Sequence, residues 1–367
     1  MKILQVSKLY YPWIGGVEKI VQEIAEGLNG KDNLKIEVLC CQPKGAREIK
    51  EINGVKVYQA SSFGIFWGMP FSFDFFRLFK EIRNEYDIVD FHHPFPLGDL
   101  ALFLFSPKGK LVVHYHSDIL RQKILEIFYR PLIFSTLKKA DLILVSNPNL
   151  IKSSPYLKKF SQKCKVIPFG VDLEKFENYK AKAVENLKRK YGNFVLFVGR
   201  LNYYKGVQYL IEAMKDIKAN LVIIGEGREK ERLKIRVERL KLGDKVFFLG
   251  PQPEDELINF YRACTVFVLP SIFRSEAFGI VLIEAMACQK PIISTELGTG
   301  TSFVNQNGVT GFVVLPKNSQ ALAWAIKRIL GDKKLAEKFG QNSLERVRTE
   351  FSLEKMLKRV AATYQNI

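Results

Sequence analysis

Short apolar runs alternate with longer amphipathic stretches along the whole of this 367-residue chain, and few folds accept that rhythm. Strands that read as continuous apolar runs are buried on both faces, which is the condition of a parallel sheet covered by helices. In the first half the pattern predicts strands at 2–6, 35–40, 55–58, 88–91, 111–115, 142–146 and 165–167, with helices at 17–28, 73–84 and 123–138 between them. It restarts in the second half. There the strands are predicted at 194–198, 219–224, 245–249, 266–269, 291–294 and 311–314, with helices at 206–214, 229–240, 255–262, 280–287 and 319–330. A chain of this length exceeds one comfortable core. The expectation is an α/β protein of two Rossmann-like domains in series, 1–172 and 173–351, with a linker opening at 168–172 and running through a polar, lysine-rich stretch to Tyr191. A closing segment, 352–367, is expected to be helical with Ser352 as its N-cap.

Composition narrows the setting. With 47% hydrophobic and 26% charged residues the chain is of ordinary globular type, and no apolar run approaches a bilayer's thickness. The first residues are too short an apolar stretch for a secretory leader, so a cytoplasmic protein is expected, with the inner face of the membrane within its reach. Cys40, Cys41, Cys164, Cys264 and Cys288 form no CxxC pair and are expected as buried thiols in a reducing compartment. The net charge of +18 is shared between both halves, which disfavours a nucleic-acid arm and suits small anionic substrates.

In open parallel sheets ligands bind beyond the carboxyl ends of the strands, so chemistry is sought there. Gly199 to Gly206 follows the strand at 194–198 and carries Arg200 and Lys205, a planar fork and a mobile point charge suited to a diphosphate. Glu276 precedes, and Glu284 lies within, the apolar helix that Phe278-Gly279 opens. Free N–H groups of that first turn and the positive dipole end attract phosphate oxygens, and the two cations offset the carboxylates. Gly15-Gly16 opens the first helix in the same manner. All four histidines, His92, His93, His114 and His116, fall in one short stretch. A metal site needs a third ligand that the spacing does not supply, whereas His116, just past a strand, is placed to donate a hydrogen bond to a ligand.

These segments, together with Ile224-Gly225-Glu226-Gly227, Val246 to Gly250 and Val268-Leu269-Pro270-Ser271, resemble the signature of the retaining family 4 glycosyltransferases. Tyr11 to Glu18 and His114 to Asp118 are similar to bacterial mannosyltransferases of surface-polysaccharide assembly. The resemblance implies the GT-B fold: two Rossmann-like domains facing a cleft, an acceptor side and a nucleotide-sugar side, with the C-terminal helix packing back toward the first domain. It implies a donor site of Gly15, Gly16, Arg200, Lys205, Gly225, Phe248, Leu249, Glu276, Ala277, Phe278, Gly279, Ile280 and Glu284. In that site Arg200 and Lys205 hold the diphosphate, Gly16 lies against it, Glu276 meets the sugar and Glu284 the ribose. His116 touches the transferred sugar, and backbone near Phe248 and Leu249 meets the base. The catalytic set is Arg200, Lys205, Glu276 and His116, without metal or cofactor. Two departures stand out: Gln289 replaces a usual glycine after Ala287-Cys288, and Cys264-Thr265 replaces a usual aspartate.

The implied reaction moves a sugar, mannose from GDP-mannose by resemblance, onto a glycan or polyprenyl-diphosphate acceptor with an α linkage. The departing phosphate takes the acceptor proton; double displacement through Glu276 is the competing route. Two other functions are open to the same residues. One is a nucleotide-sugar epimerase or glycogen-phosphorylase-like enzyme, the other a non-catalytic nucleotide-sugar or nucleic-acid binding module. The aromatic segment 63–76, with lysine pairs in the same domain, is either core or a contact with an anionic membrane.

Overall fold

The computed structural model describes residues 1–13, 15–66, 68–118 and 123–367, with 123–128 described by backbone alone. The chain forms two compact units: Met1–Phe169 with Glu354–Ile367, and Gly170–Leu353.

The first unit is built on β1 (Lys2–Val6), β2 (Lys35–Cys41), β3 (Glu48–Ile52), β4 (Val55–Ala60), a two-residue-per-strand hairpin of β5 (Ile65–Phe66) and β6 (Met69–Pro70), β7 (Ile88–His93), β8 (Lys110–Tyr115), β9 (Leu142–Val145) and β10 (Cys164–Val166). Eight of these make one sheet in the order β10-β9-β8-β7-β1-β2-β4-β3. Ile3, Leu4, Val38, Leu39, Val89, Phe91, Val112 and Val113 are fully buried, as strands covered on both faces require. The edge strand β3 pairs antiparallel with β4 and was not legible in the pattern. Its sequence, Glu-Ile-Lys-Glu-Ile, alternates in polarity and leaves even Ile49 exposed. Helix Pro96–Leu104 also escaped prediction, because its apolar residues surround it instead of forming a stripe.

The helix Leu353–Gln365 buries Met356, Val360, Ala361 and Tyr364. Gly27, on helix Gly16–Leu28, makes room for it: a Cβ there would lie 2.5 Å from Leu357 Cδ1. Lys165 Nζ adds a hydrogen bond to Thr363 Oγ1 at 2.8 Å. The final helix is thereby part of the first unit, although the second unit separates it in sequence.

The second unit is a six-stranded parallel sheet of β11 (Phe194–Val198), β12 (Asn220–Ile224), β13 (Val246–Gly250), β14 (Val266–Leu269), β15 (Ile292–Thr295) and β16 (Gly311–Val314), ordered β13-β12-β11-β14-β15-β16. The polar stretch before it is not a bare linker. Asp172 caps helix Leu173–Glu177, and helix Ala181–Tyr191 anchors Tyr191 against Phe247 at 5.1 Å between rings. With only Val184 and Tyr191 buried in eleven residues, that helix carries too little apolar signal to be predicted. Helix Lys333–Glu350 was missed for the same reason; Phe339 and Val347 are its only fully apolar buried side chains. Val171 and Ser352 form a parallel bridge, so the outgoing and returning chain segments are hydrogen-bonded together.

Candidate active site

Arg200, Lys205 and Glu276 lie on the segments that follow β11 and β14. Gly206 holds a left-handed conformation, φ 70°, and passes so close to Pro270 that a Cβ would sit 2.0 Å from its carbonyl oxygen. That turn ends the short helix Tyr203–Lys205, whose last residue, Lys205, is buried. Lys205 Nζ then reaches Glu276 Oε2 at 2.5 Å, and Ser271 Oγ donates to the same oxygen at 2.9 Å. Burial pulls the Lys205 pKa down, but the Glu276 carboxylate beside it outweighs this and holds the pKa above the ordinary lysine value. Arg200 is exposed, and it lies near enough to Lys205 to oppose that rise.

Glu276 is on a loop, as expected, and the loop is clamped from behind. Thr299 Oγ1 donates to the Glu276 carbonyl at 2.7 Å, and the Gly300 amide donates to the Ala277 carbonyl at 2.7 Å. Gly279 then caps the eight-residue helix Ile280–Ala287 from a left-handed conformation, φ 84°. The Phe278 side chain is buried, edge-on to Phe351 at 6.0 Å, so what it can offer a ligand is the backbone of the turn that opens the helix. Ala277 and Ile280 remain partly exposed on either side of it. Glu284, one turn into the helix, accepts a hydrogen bond from the buried Tyr261 hydroxyl at 2.9 Å. At the far end Gln289 is left-handed, φ 59°, the conformation that the missing glycine implied.

Gly225 follows β12 directly and donates to the Gly250 carbonyl at 2.9 Å. Phe248 and Leu249 lie at an irregularity of β13: Ile223 pairs with Phe248 but Ile224 with Gly250, so Leu249 is skipped in the register. The Leu249 carbonyl accepts from Gln252 Nε2 at 2.9 Å.

In the first unit Gly16 begins the helix and Gly15 caps it in an extended conformation, φ −164°, which any residue adopts. The pair is therefore not explained by strain. The buried Glu18 of the same turn sits 3.6 Å from Lys8 Nζ. The histidines divide by strand alternation. His114 and His116 share a face with His92, their rings nearly parallel, while His93 lies on the other face against Asp99 at 3.2 Å. His116 is buried, so it is less open to a ligand than its place after a strand implied, and its Nε2 is 2.9 Å from His92 Nδ1. Burial first, then neighbouring imidazoles, push His92 and His116 well below the usual imidazole pKa.

The acidic partner absent from the spacing is Asp90. It accepts from His114 Nδ1 at 2.9 Å and from the Tyr364 hydroxyl. Asp90, His92 and His114 offer ligand atoms within 4.8 Å of one another, the one group of that kind among the described residues. Asp90 is already engaged by His114 Nδ1 and the Tyr364 hydroxyl. Local sequence carried no sign of Tyr364, which is 274 residues away. Thr299 and Tyr261 left no local signal because they bind the site residues and not the expected ligand; Ser271 stood in the Val268–Ser271 segment of the resemblance with no role assigned to it. All five cysteines are free; four are buried as expected, Cys164 is only half-buried, and burial raises Cys40 and Cys288 to about 12.

The family model described as Glycosyltransferase Family 4 matches residues 14–175, and that described as Glycosyl transferases group 1 matches 178–346. O-antigen chain mannosyltransferase C of Escherichia coli is 35% identical over 97% of this chain and 96% of its own length. D-rhamnosyltransferase WbpZ of Pseudomonas aeruginosa is 33% identical over 96% and 92%. Among solved structures, sucrose-phosphate synthase of Thermosynechococcus elongatus aligns with TM-score 0.85 at 24% identity, covering 100% of this chain and 98% of that one. Anabaena HepE in complex with UDP aligns at 0.81 with 20% identity over the full length of both. At those identities the two structures speak for the fold alone.

Proposed function

This chain belongs to glycosyltransferase family 4 and has the GT-B fold, and from that premise we propose that it transfers mannose from GDP-mannose, with retained configuration, onto a glycan or polyprenyl-diphosphate-linked acceptor. The observation that carries this reading is the buried Lys205–Glu276 pair beside the N-terminus of helix Ile280–Ala287. A diphosphate there meets Lys205, Arg200 and the amides of Phe278, Gly279 and Ile280, donors fixed before the reaction and aimed where charge develops. Glu276 and Glu284 grip the sugar and ribose hydroxyls.

The acceptor hydroxyl attacks the anomeric carbon from the face that the diphosphate leaves. The carbon–phosphate oxygen bond breaks, the acceptor oxygen bond forms, and the departing phosphate takes the hydroxyl proton. No protein base and no metal enters this sequence. Glu276 is held twice through Oε2, by Lys205 and Ser271, which favours a clamp over a nucleophile. The mannosyltransferase relative at 35% identity supports the sugar. A panel of nucleotide sugars tests the donor by thermal stabilisation, because a ligand that binds only the folded state raises its melting temperature. GDP-mannose is expected to give the largest shift and, with acceptor, an α-linked product by NMR in the presence of chelator. A larger shift with a UDP sugar, or a β-linked product, would overturn the reading.

The aromatic segment 63–76 resolves into two parts. Phe75 is buried in the core beside Phe79 and Phe95, whereas Phe63, Phe66, Phe71 and Phe73 are 66%, 57%, 48% and 67% exposed. Their rings pack on one another at 5.1–6.5 Å around the β5–β6 hairpin, which follows the carboxyl end of β4. Trp67 lies outside the described residues. Four exposed phenylalanines in one patch support a contact with a lipid leaflet, which would bring the enzyme to a lipid-linked acceptor.

A further inference from the structure

The buried histidine cluster fixes more than the shape of the first unit. His92 Nδ1 and His116 Nε2 are 2.9 Å apart, and both rings are neutral because burial and their neighbours oppose protonation. Lys8, facing His116, adds to that opposition. One hydrogen therefore lies between the two rings, and either ring can supply it. The choice falls to the far nitrogen of His92. Its Nε2 is buried, finds no hydrogen-bond partner among the described residues, and lies 4.0 Å from Asp90 Oδ2. A bare lone pair there would face a carboxylate at close range, whereas an N–H directs positive charge toward it. Asp90 is held in that position by the Tyr364 hydroxyl and His114 Nδ1.

With the His92 proton on Nε2, its Nδ1 accepts, and His116 donates through Nε2. We propose that Asp90 acts through His92 as a positioning residue that locks His116 in the Nε2–H form, so that His116 meets a sugar hydroxyl with the bare Nδ1, as an acceptor. This reverses the role expected from sequence, in which His116 donates. The use of that nitrogen on a sugar rests on the function proposed above; the locked tautomer does not.

Nitrogen-15 labelling of the four histidines, with two-bond couplings locating each proton and single His→Gln variants assigning the signals, tests the lock without any donor. His92 and His116 are expected to carry their protons on Nε2 and His114 on Nδ1. In Asp90→Asn the His116 proton should move to Nδ1, and kcat should fall by about tenfold or more with donor KM little changed, as for an interaction made in the transition state. A merely structural Asp90 would lower the melting temperature and leave the tautomer as it was. His116 protonated on Nδ1 in the wild type, an unmoved tautomer in Asp90→Asn, or a moved tautomer with kcat intact each overturns the proposal. If Asp90→Asn does not fold, the wild-type spectrum decides. Should the wild-type protein transfer no sugar at all, the functional reading fails while the spectrum still reports on the lock.

Discussion

Lys205 and Glu276 each retain only 10% of their side-chain surface in water, so removing either partner strands a buried charge. Breaking such a pair costs roughly 3–5 kcal/mol, which makes alanine a poor probe of chemistry here. Glu276→Gln preserves the volume and the Ser271 contact. It should lose most transfer activity with a smaller drop in melting temperature than Glu276→Ala; near wild-type turnover in Glu276→Gln would remove Glu276 from the site. The histidines give a pH prediction of opposite origin. Because His92 and His116 have pKa values below the unfolded value of 6.5, the unfolded chain takes up protons first as pH falls. Stability should thus be fully present above pH 6.5 and decline as pH drops below it. Asp90 faces His92, and His114, His93 and Lys8 act on His116, with Tyr364 holding Asp90. Melting curves from pH 8 to 5.5 should show the decline, and His92→Gln should flatten it; equal slopes would refute the assignment.

The β5–β6 hairpin is an element whose exposed rings contribute nothing to a core, so Phe63→Ser with Phe73→Ser should leave the melting temperature nearly unchanged. The same pair of changes should weaken flotation with anionic vesicles, and undiminished flotation would assign these rings another purpose. From sequence this segment read as core or membrane contact without a decision, because composition cannot say which phenylalanines a turn carries outward. Strands were the most legible elements: β1, β11, β14 and β16 lie where the apolar runs put them, since burial on both faces leaves a continuous signal. Amphipathic helices with two buried residues, such as Ala181–Tyr191, left almost none. Within the site, Lys205 and Glu276 were legible as charges beside a helix start. That they contact each other, and that Ser271 and Thr299 hold the loop, depends on pairings across β11, β14 and β15 that no local window contains.

At the scale of the molecule the two units differ in how their chain is assembled. Gly170–Leu353 is continuous, with its own parallel sheet and core, whereas the first unit is completed by Glu354–Ile367. A fragment of 170–353 should therefore melt cooperatively and bind nucleotide sugar alone; failure to fold would show that the first unit is needed for its stability. A fragment of 1–169 should not pack natively, because the apolar face that Val360 and Tyr364 cover would be bare and Asp90 would lose the Tyr364 hydroxyl. During synthesis that face waits while nearly two hundred further residues leave the ribosome. At the several residues per second of translation, the delay is on the order of ten seconds or more, long against the folding of either sheet. For that interval the nascent first unit exposes an open hydrophobic flank, which makes it the part of this protein on which a chaperone has most to do.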